Sequence, residues 1–292
     1  MPSGLSSDLI ISPEIPDVDF AALTEIVNQT IDEQVMEDNA RFEERAMLEA
    51  DLWRPKYERA LADGLIPGPD EIAPLIELDR AEAEARHEQA RNSTDEFGVL
   101  RQSLPVVPPH LPNIYHNQWT NPPYHAGHAD GTPDPVIRPG AVAQTGWVEM
   151  WPRSTLSGNF AWGRCSLTQM FIKKSNQPDL NPAYLFRPNS GYWGWSFFAP
   201  ARFQFDAYVI TVNASTADRW ARKVRIMDTT RGMFGSFQGT FPIASPLYVV
   251  GQGTAAPRDY IVVTATLVAR VSAPVGRADF LLSGYVKPFA IS

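Results

Sequence analysis

Ile261-Val262-Val263-Thr264-Ala265-Thr266-Leu267-Val268-Ala269-Arg270-Val271 repeats with a period of two. Ile261, Val263, Ala265, Leu267, Ala269 and Val271 share one phase, and Thr264, Thr266 and Arg270 punctuate the other. That period belongs to a β-strand with one strongly buried face. The same alternation sets Phe203, Phe205, Ala207 and Val209 against Gln204, Asp206 and Tyr208. Further strands are predicted at Thr145–Trp151, Trp162–Ile172, Trp193–Phe198, Ala221–Met227, Leu247–Val250 and Ala278–Val286, separated by clusters of Gly, Pro, Asn and Ser. No helix long enough for a parallel crossover lies between them. Two packed antiparallel sheets, a jelly-roll-like β-sandwich over 143–292, are therefore expected.

Working back from the sandwich, nine prolines fall between Leu104 and Gly140. Proline removes a backbone donor and fixes φ, so 101–142 is predicted to be an extended, stiff neck. Ile114, Tyr115, Trp119 and Tyr124 in that stretch are expected to pack against something.

Before the neck, 17–100 reads as an acidic helical arm, preceded by a tail over 1–16. Phe20, Leu23, Val27, Ile31 and Val35 follow the three-and-four spacing of one helical stripe, with Asp17 or Asp19 as cap and Phe42, Ala46 and Leu52 extending it. Arg54-Pro55 is expected to end or kink this helix. Asp63-Gly64 and Pro67-Gly68-Pro69 make a break, after which Asp70 is expected to cap a second, more polar helix. A narrow apolar stripe on a long acidic helix is more often a contact seam than the wall of a catalytic pocket, docking on its own sandwich or on sister chains. The five stripe residues Phe20, Leu23, Val27, Ile31 and Val35 are taken as an oligomer seam. The fold class is thus α+β in separate segments: arm, neck, sandwich.

The net charge of −8 conceals a division. Residues 1–100 hold 24 acidic and 8 basic residues (−16), whereas 101–292 hold 9 acidic and 17 basic (+8). Opposite signs on the two parts can steer head-to-tail contacts between copies or hold the arm against a body. The acidic arm lacks the clustered cations that phosphate contacts need, which argues against nucleic acid as a partner, and it would be repelled by anionic lipid. No apolar run is long enough to span a bilayer. Met1–Ile15 carries no basic leader, and the apolar stretch Leu9–Ile11 is too short for a signal peptide, so synthesis and assembly in the cytoplasm without classical secretion are expected. The single cysteine, Cys165, sits in a strand-like pattern and reads as a buried structural thiol.

Two constellations could carry chemistry. His125, His128 and Asp130 could surround a metal ion if a flexible loop brought them together, a structural ion being the only cofactor the sequence suggests. Tyr192, Trp193 and Trp195 could form a stacking platform for a glycan receptor, although strand alternation equally describes a segment buried on both sides. Catalytic signatures are missing: there is no Gly-x-Ser-x-Gly elbow, no phosphate-binding loop and no dinucleotide fingerprint. No catalytic residue is assigned. The leading expectation is a structural assembly protein, such as a virus or phage particle component (fibre, collar, decoration or capsid-associated). It would form a homo-oligomer, a trimer being one form, or join a larger assembly. The alternative is a glycan-binding adhesin or receptor-binding module, with a metal-dependent enzyme behind both.

Overall fold

A computed structural model describes residues 20–75, 77, 78, 80–82, 85, 118–132, 139–156, 159–173, 176–241 and 247–291. A long helix, α1 (Phe20–Ala62), runs through Pro55. Of the expected end or kink at Arg54-Pro55, the end is therefore corrected. Proline deletes one intrahelical hydrogen bond, but Tyr57 and Ala60 beyond it are buried, so packing holds the helix on course. The helix stops where expected. Leu65 N–H reaches Ala60 C=O and Gly64 N–H reaches Leu61 C=O, a Schellman closure with Gly64 at φ +66°. A second helical stretch starts at residue 69, so Pro69 occupies the first helical position and Glu71, not Asp70, returns to cap the Gly68 amide at 3.3 Å.

Fifteen strands follow among the described residues: β1 (Gln118–Thr120), β2 (Ala126–Gly131), β3 (Gly140–Val142), β4 (Trp147–Met150), β5 (Arg153–Ser154), β6 (Phe160–Ile172), β7 (Asp179–Leu180), β8 (Ala183–Phe197), β9 (Ala201–Asn213), β10 (Arg219–Arg231), β11 (Phe234–Gly239), β12 (Leu247–Val250), β13 (Gly253–Thr254), β14 (Tyr260–Ser272) and β15 (Gly276–Ile291). One sheet has the order β11-β8-β15-β4-β3, with β12 on β8 and β1 and β5 on β15. The other runs β10-β9-β14-β6-β2, and β7 pairs with β13 apart from both. Every pairing among these is antiparallel. The fold is an α+β arrangement, a helical segment followed by an antiparallel β-sandwich. β1, β2 and β3 all come from the stretch read as a neck. Their prolines fall between strands, and these strands sit at sheet margins, where a missing donor costs least. Residues 101–117 of that stretch lie outside the described residues.

The decisive period-two residues meet between the sheets. Phe203, Phe205, Ala207 and Val209 of β9 and Ile261, Val263, Ala265, Leu267, Ala269 and Val271 of β14 join Phe186, Phe280, Leu282 and Phe289 from the opposite sheet in one core. Cys165 is wholly buried there, and burial raises its thiol pKa to about 12, which makes it inert at neutral pH.

Candidate functional site

The other phase of the five-stranded sheet is not solvated. Tyr208, Ile210 and Val212 of β9, Val262 and Val268 of β14 and Met170 of β6 form a second apolar cluster with Leu23, Val27, Ile31 and Val35 of α1. These four helical residues are 8%, 1%, 1% and 1% exposed. Each contributes roughly 1.5–3 kcal/mol to docking of the arm. Four of the five residues of the predicted oligomer seam thus pack on the chain's own sandwich. Phe20 opens the helix, and its side chain lies outside the described residues. Successive steps of four, from Leu23 to Val35 and again from Phe42 to Ala50, exceed the 3.6-residue turn, so the buried face winds around α1. The helix consequently begins over one sheet and ends at the other, where Tyr57 meets Trp195 and Phe197 with ring centroids 6.2 Å from each.

Charge division between arm and body becomes contact at this seam. Arg270 and Asp206 are both fully buried on the outward face of β14 and β9, with Arg270 Nη1 donating to Asp206 Oδ2 at 2.6 Å. Arg270 Nε also donates to Asn39 Oδ1 of the arm at 2.6 Å, and Gln204 donates to Asp206 at 3.1 Å. Asp38 of α1 accepts from the Tyr208 hydroxyl and pairs with Lys223 at 2.7 Å. Burial alone would raise the Asp38 pKa, but Lys223 and Tyr208 outweigh it and hold the carboxyl below its usual range. Further along, Arg164 donates to Asp32 of the arm, and Arg219 donates to Thr30 at 3.3 Å. On the same outward phase, cross-strand hydroxyls pair with each other, Ser166 with Thr266 and Thr168 with Thr264.

The suggested metal ligands do not converge. His128 and Asp130 flank Arg164, at 3.3 and 3.4 Å from its Nη2, on the outward phase of β2. His125 instead lies 3.1 Å from the side-chain oxygen of Gln169, on the inward phase of β6. Burial, and then the Arg164 guanidinium, lower the His128 pKa. The space between His128 and Asp130 is filled by that cation, which would repel a metal ion. Among the described residues no group of three or more His, Cys, Asp and Glu side chains could hold one.

Nor do the aromatic residues present an open platform. Trp193 is 1% exposed and Trp195 3%, packed with Tyr57 and Ile72 of the helical segment, while Tyr192 turns inward against Phe203 and Phe241. What sequence reasoning missed is the company they keep. Trp193, Asp279 and Arg153 stand in one row across β8, β15 and β5, and Trp195 pairs with Arg277 in the next row. Arg153 Nε donates to the fully buried Asp279 at 2.8 Å, and Arg277 donates to it at 3.2 Å. Burial nevertheless pushes the Asp279 pKa up. Trp151 meets Trp193 edge-on at 5.4 Å. The indole N–H groups of both, and Nη2 of Arg153, have no hydrogen-bond partner among the described residues.

The arm's outward side is the remaining surface of note. Met36, Met47, Leu48 and Leu52 of α1 are 54–65% exposed, and Ala40, Glu43, Glu44, Met47, Leu48 and Asp51 line a shallow groove along the helix. No described helix is long and apolar enough to cross a membrane.

No family model and no curated protein matches the chain. Among solved structures, TmCBM61 in complex with beta-1,4-galactotriose aligns at 8% identity over 57% of this chain and 87% of its own, with a TM-score of 0.23. The enzymatically active domain of bacteriophage CBA120 tailspike protein 4 aligns at 10% identity over 58% of this chain and 19% of its own, with a TM-score of 0.17. The CBM22-1-GH10 modules of Clostridium thermocellum xylanase 10B align at 12% identity over 56% and 25%, with a TM-score of 0.18. At these scores nothing about this chain's ligand follows from the likeness.

Proposed function

We propose that this chain is a non-catalytic interaction module that associates with sister chains through the outward side of its arm. One observation carries this reading. Seven of the eleven large apolar side chains that stand exposed among the described residues, Met36 through Leu78, lie on the arm, whose other face is already occupied by the sandwich. Exposed apolar surface gathered on one segment, here α1 and the helical stretch after it, marks an interaction site. Light scattering coupled to size exclusion over a concentration series tests the proposal. The native protein is expected to exceed the mass of one chain, and Met47→Glu with Leu48→Glu to return it to one chain with an unchanged melting temperature. A native protein that stays at one chain into the high micromolar range overturns the reading. A component of a virus or phage particle is the finer form of the proposal, and self-association that runs on past a small closed oligomer would support it.

Glycan binding is the second reading, and the Trp151, Trp193, Arg153 and Asp279 group supports it. Flat rings and unpartnered donors on one sheet face suit sugar faces and hydroxyls. Since Tyr57 and Ile72 cover that face, binding there requires the cover to open. Glycan-array retention that is abolished by Trp193→Phe or Arg153→Lys in a stably folded protein would favour this reading over self-association.

A further inference from the structure

The turn Gly232-Met233 carries the chain from β10 in one sheet to β11 in the other. It leaves Met233 54% and Phe234 67% exposed, which makes it the most prominent apolar point on the sandwich. The turn is well defined. Gly232 has φ +65°, where a Cβ would strike the Phe237 ring at 2.2 Å, and Gly235 has φ +94°. Phe234 is propped edge-on against Phe198 at 5.9 Å, and Phe198 stacks on Trp53 of α1 at 6.3 Å. Phe198 itself is held at φ +67°, a conformation that bulky residues rarely adopt and that persists only where its surroundings fix it. A rigid knob with two apolar side chains is thereby presented to solvent, with the exposed Arg231 beside it.

The same chain carries a shallow groove of matching chemistry. The shallow groove on α1 is lined by apolar Ala40, Met47 and Leu48 and by acidic Glu43, Glu44 and Asp51. We infer that the Met233-Phe234 knob of one copy seats in the α1 groove of a second copy, with Arg231 set against the groove's carboxylates. Apolar knob meets apolar lining, and cation meets anion. This inference rests on the self-association proposed above and names its contact. Each copy bears one knob and one groove, so copies close into a ring, a reciprocal pair being the smallest, or extend as a filament.

Single-cysteine variants test the contact. The native thiol, Cys165, is buried and inert, so it does not interfere. Met233→Cys and Leu48→Cys proteins are mixed and oxidised with a mild disulfide catalyst, then read on a non-reducing gel. A covalent dimer that forms in the mixture, and at least about tenfold less in either protein alone, is expected, because the link then joins knob to groove between copies. Phe234→Ala is expected to weaken self-association by at least about tenfold, the size of an interface anchor. Glu43→Lys with Glu44→Lys is expected to weaken it too, and Arg231→Glu to restore part of the loss. If the protein self-associates but the mixture gives no more dimer than either variant alone, the knob-in-groove contact is overturned while self-association stands. If the native protein is a single chain at all concentrations, both are overturned.

Discussion

The two faces of α1 are built from similar residues and have opposite fates. Leu23, Val27, Ile31 and Val35 on the inner face disappear against Tyr208, Ile210, Val212 and Val262, whereas Met36, Met47, Leu48 and Leu52 on the outer face stand in solvent. Hydrophobicity alone does not separate them. What does is the polar frame beside the inner stripe, where Asp32, Asp38 and Asn39 find Arg164, Lys223, Tyr208 and Arg270 waiting on the sheet. A stripe with matched charges at its flank is docked in its own chain. The outer stripe, flanked by Glu43, Glu44 and Asp51, which pair with no cation among the described residues, is the one proposed to meet a partner.

The sharpest break in that contrast is a charge placed on each face. Ile31→Asp buries an unpaired carboxylate and is expected to cost more than about 4 kcal/mol, whereas Leu48→Asp in dilute solution should stay within about 0.5 kcal/mol, both read from urea unfolding. Next in size is the frame itself. Asp206→Asn leaves Arg270 buried without its carboxylate and is expected to cost about 3–5 kcal/mol in the same assay, with the arm losing protease resistance before the sandwich does. Acid should then act on the frame more gently. The Asp38 pKa is lowered in the folded protein, so its contribution is fully present above the unfolded value near pH 4 and is lost as pH falls through the lower folded value. Arm protection should decline over that acidic window, and Asp38→Asn should remove this part of the pH dependence. The smallest effect sharpens the contrast from the other side: Met47→Ala, on the exposed face, should change stability by no more than about 0.5 kcal/mol while lowering native mass.

Much of this architecture could be read directly from residues. The alternation in Phe203–Val209 and Ile261–Val271 predicted the core, and the step pattern from Leu23 to Val35 predicted a helix with one buried stripe. The partner of that stripe was legible as well, in a signal passed over. The outward phases of β9 and β14 contain Tyr208, Ile210, Val212, Val262 and Val268, too many apolar residues for a face meant for water. Arg270 and Asp206, which fall in the more polar phase of the alternation, are the buried pair beneath the arm. The Trp193 group was harder to read. Its row with Asp279 and Arg153 joins residues up to 126 positions apart, and no local pattern reveals register between distant strands. The histidine stretch misled for a related reason. Spacing in sequence placed His125 beside His128, but the turn before β2 assigns them to opposite phases of the sheet, and Arg164 comes from a strand 34 residues on to fill the gap.

Amide hydrogen exchange of α1, followed across a dilution series from high micromolar to nanomolar, tests most directly whether the inner stripe belongs to its own sandwich. Intramolecular docking predicts that protection of residues 27–46 is the same at every concentration, even where light scattering shows a single chain. Protection that fades on dilution in step with loss of native mass would mean that the stripe is shared between copies, and would contradict the account.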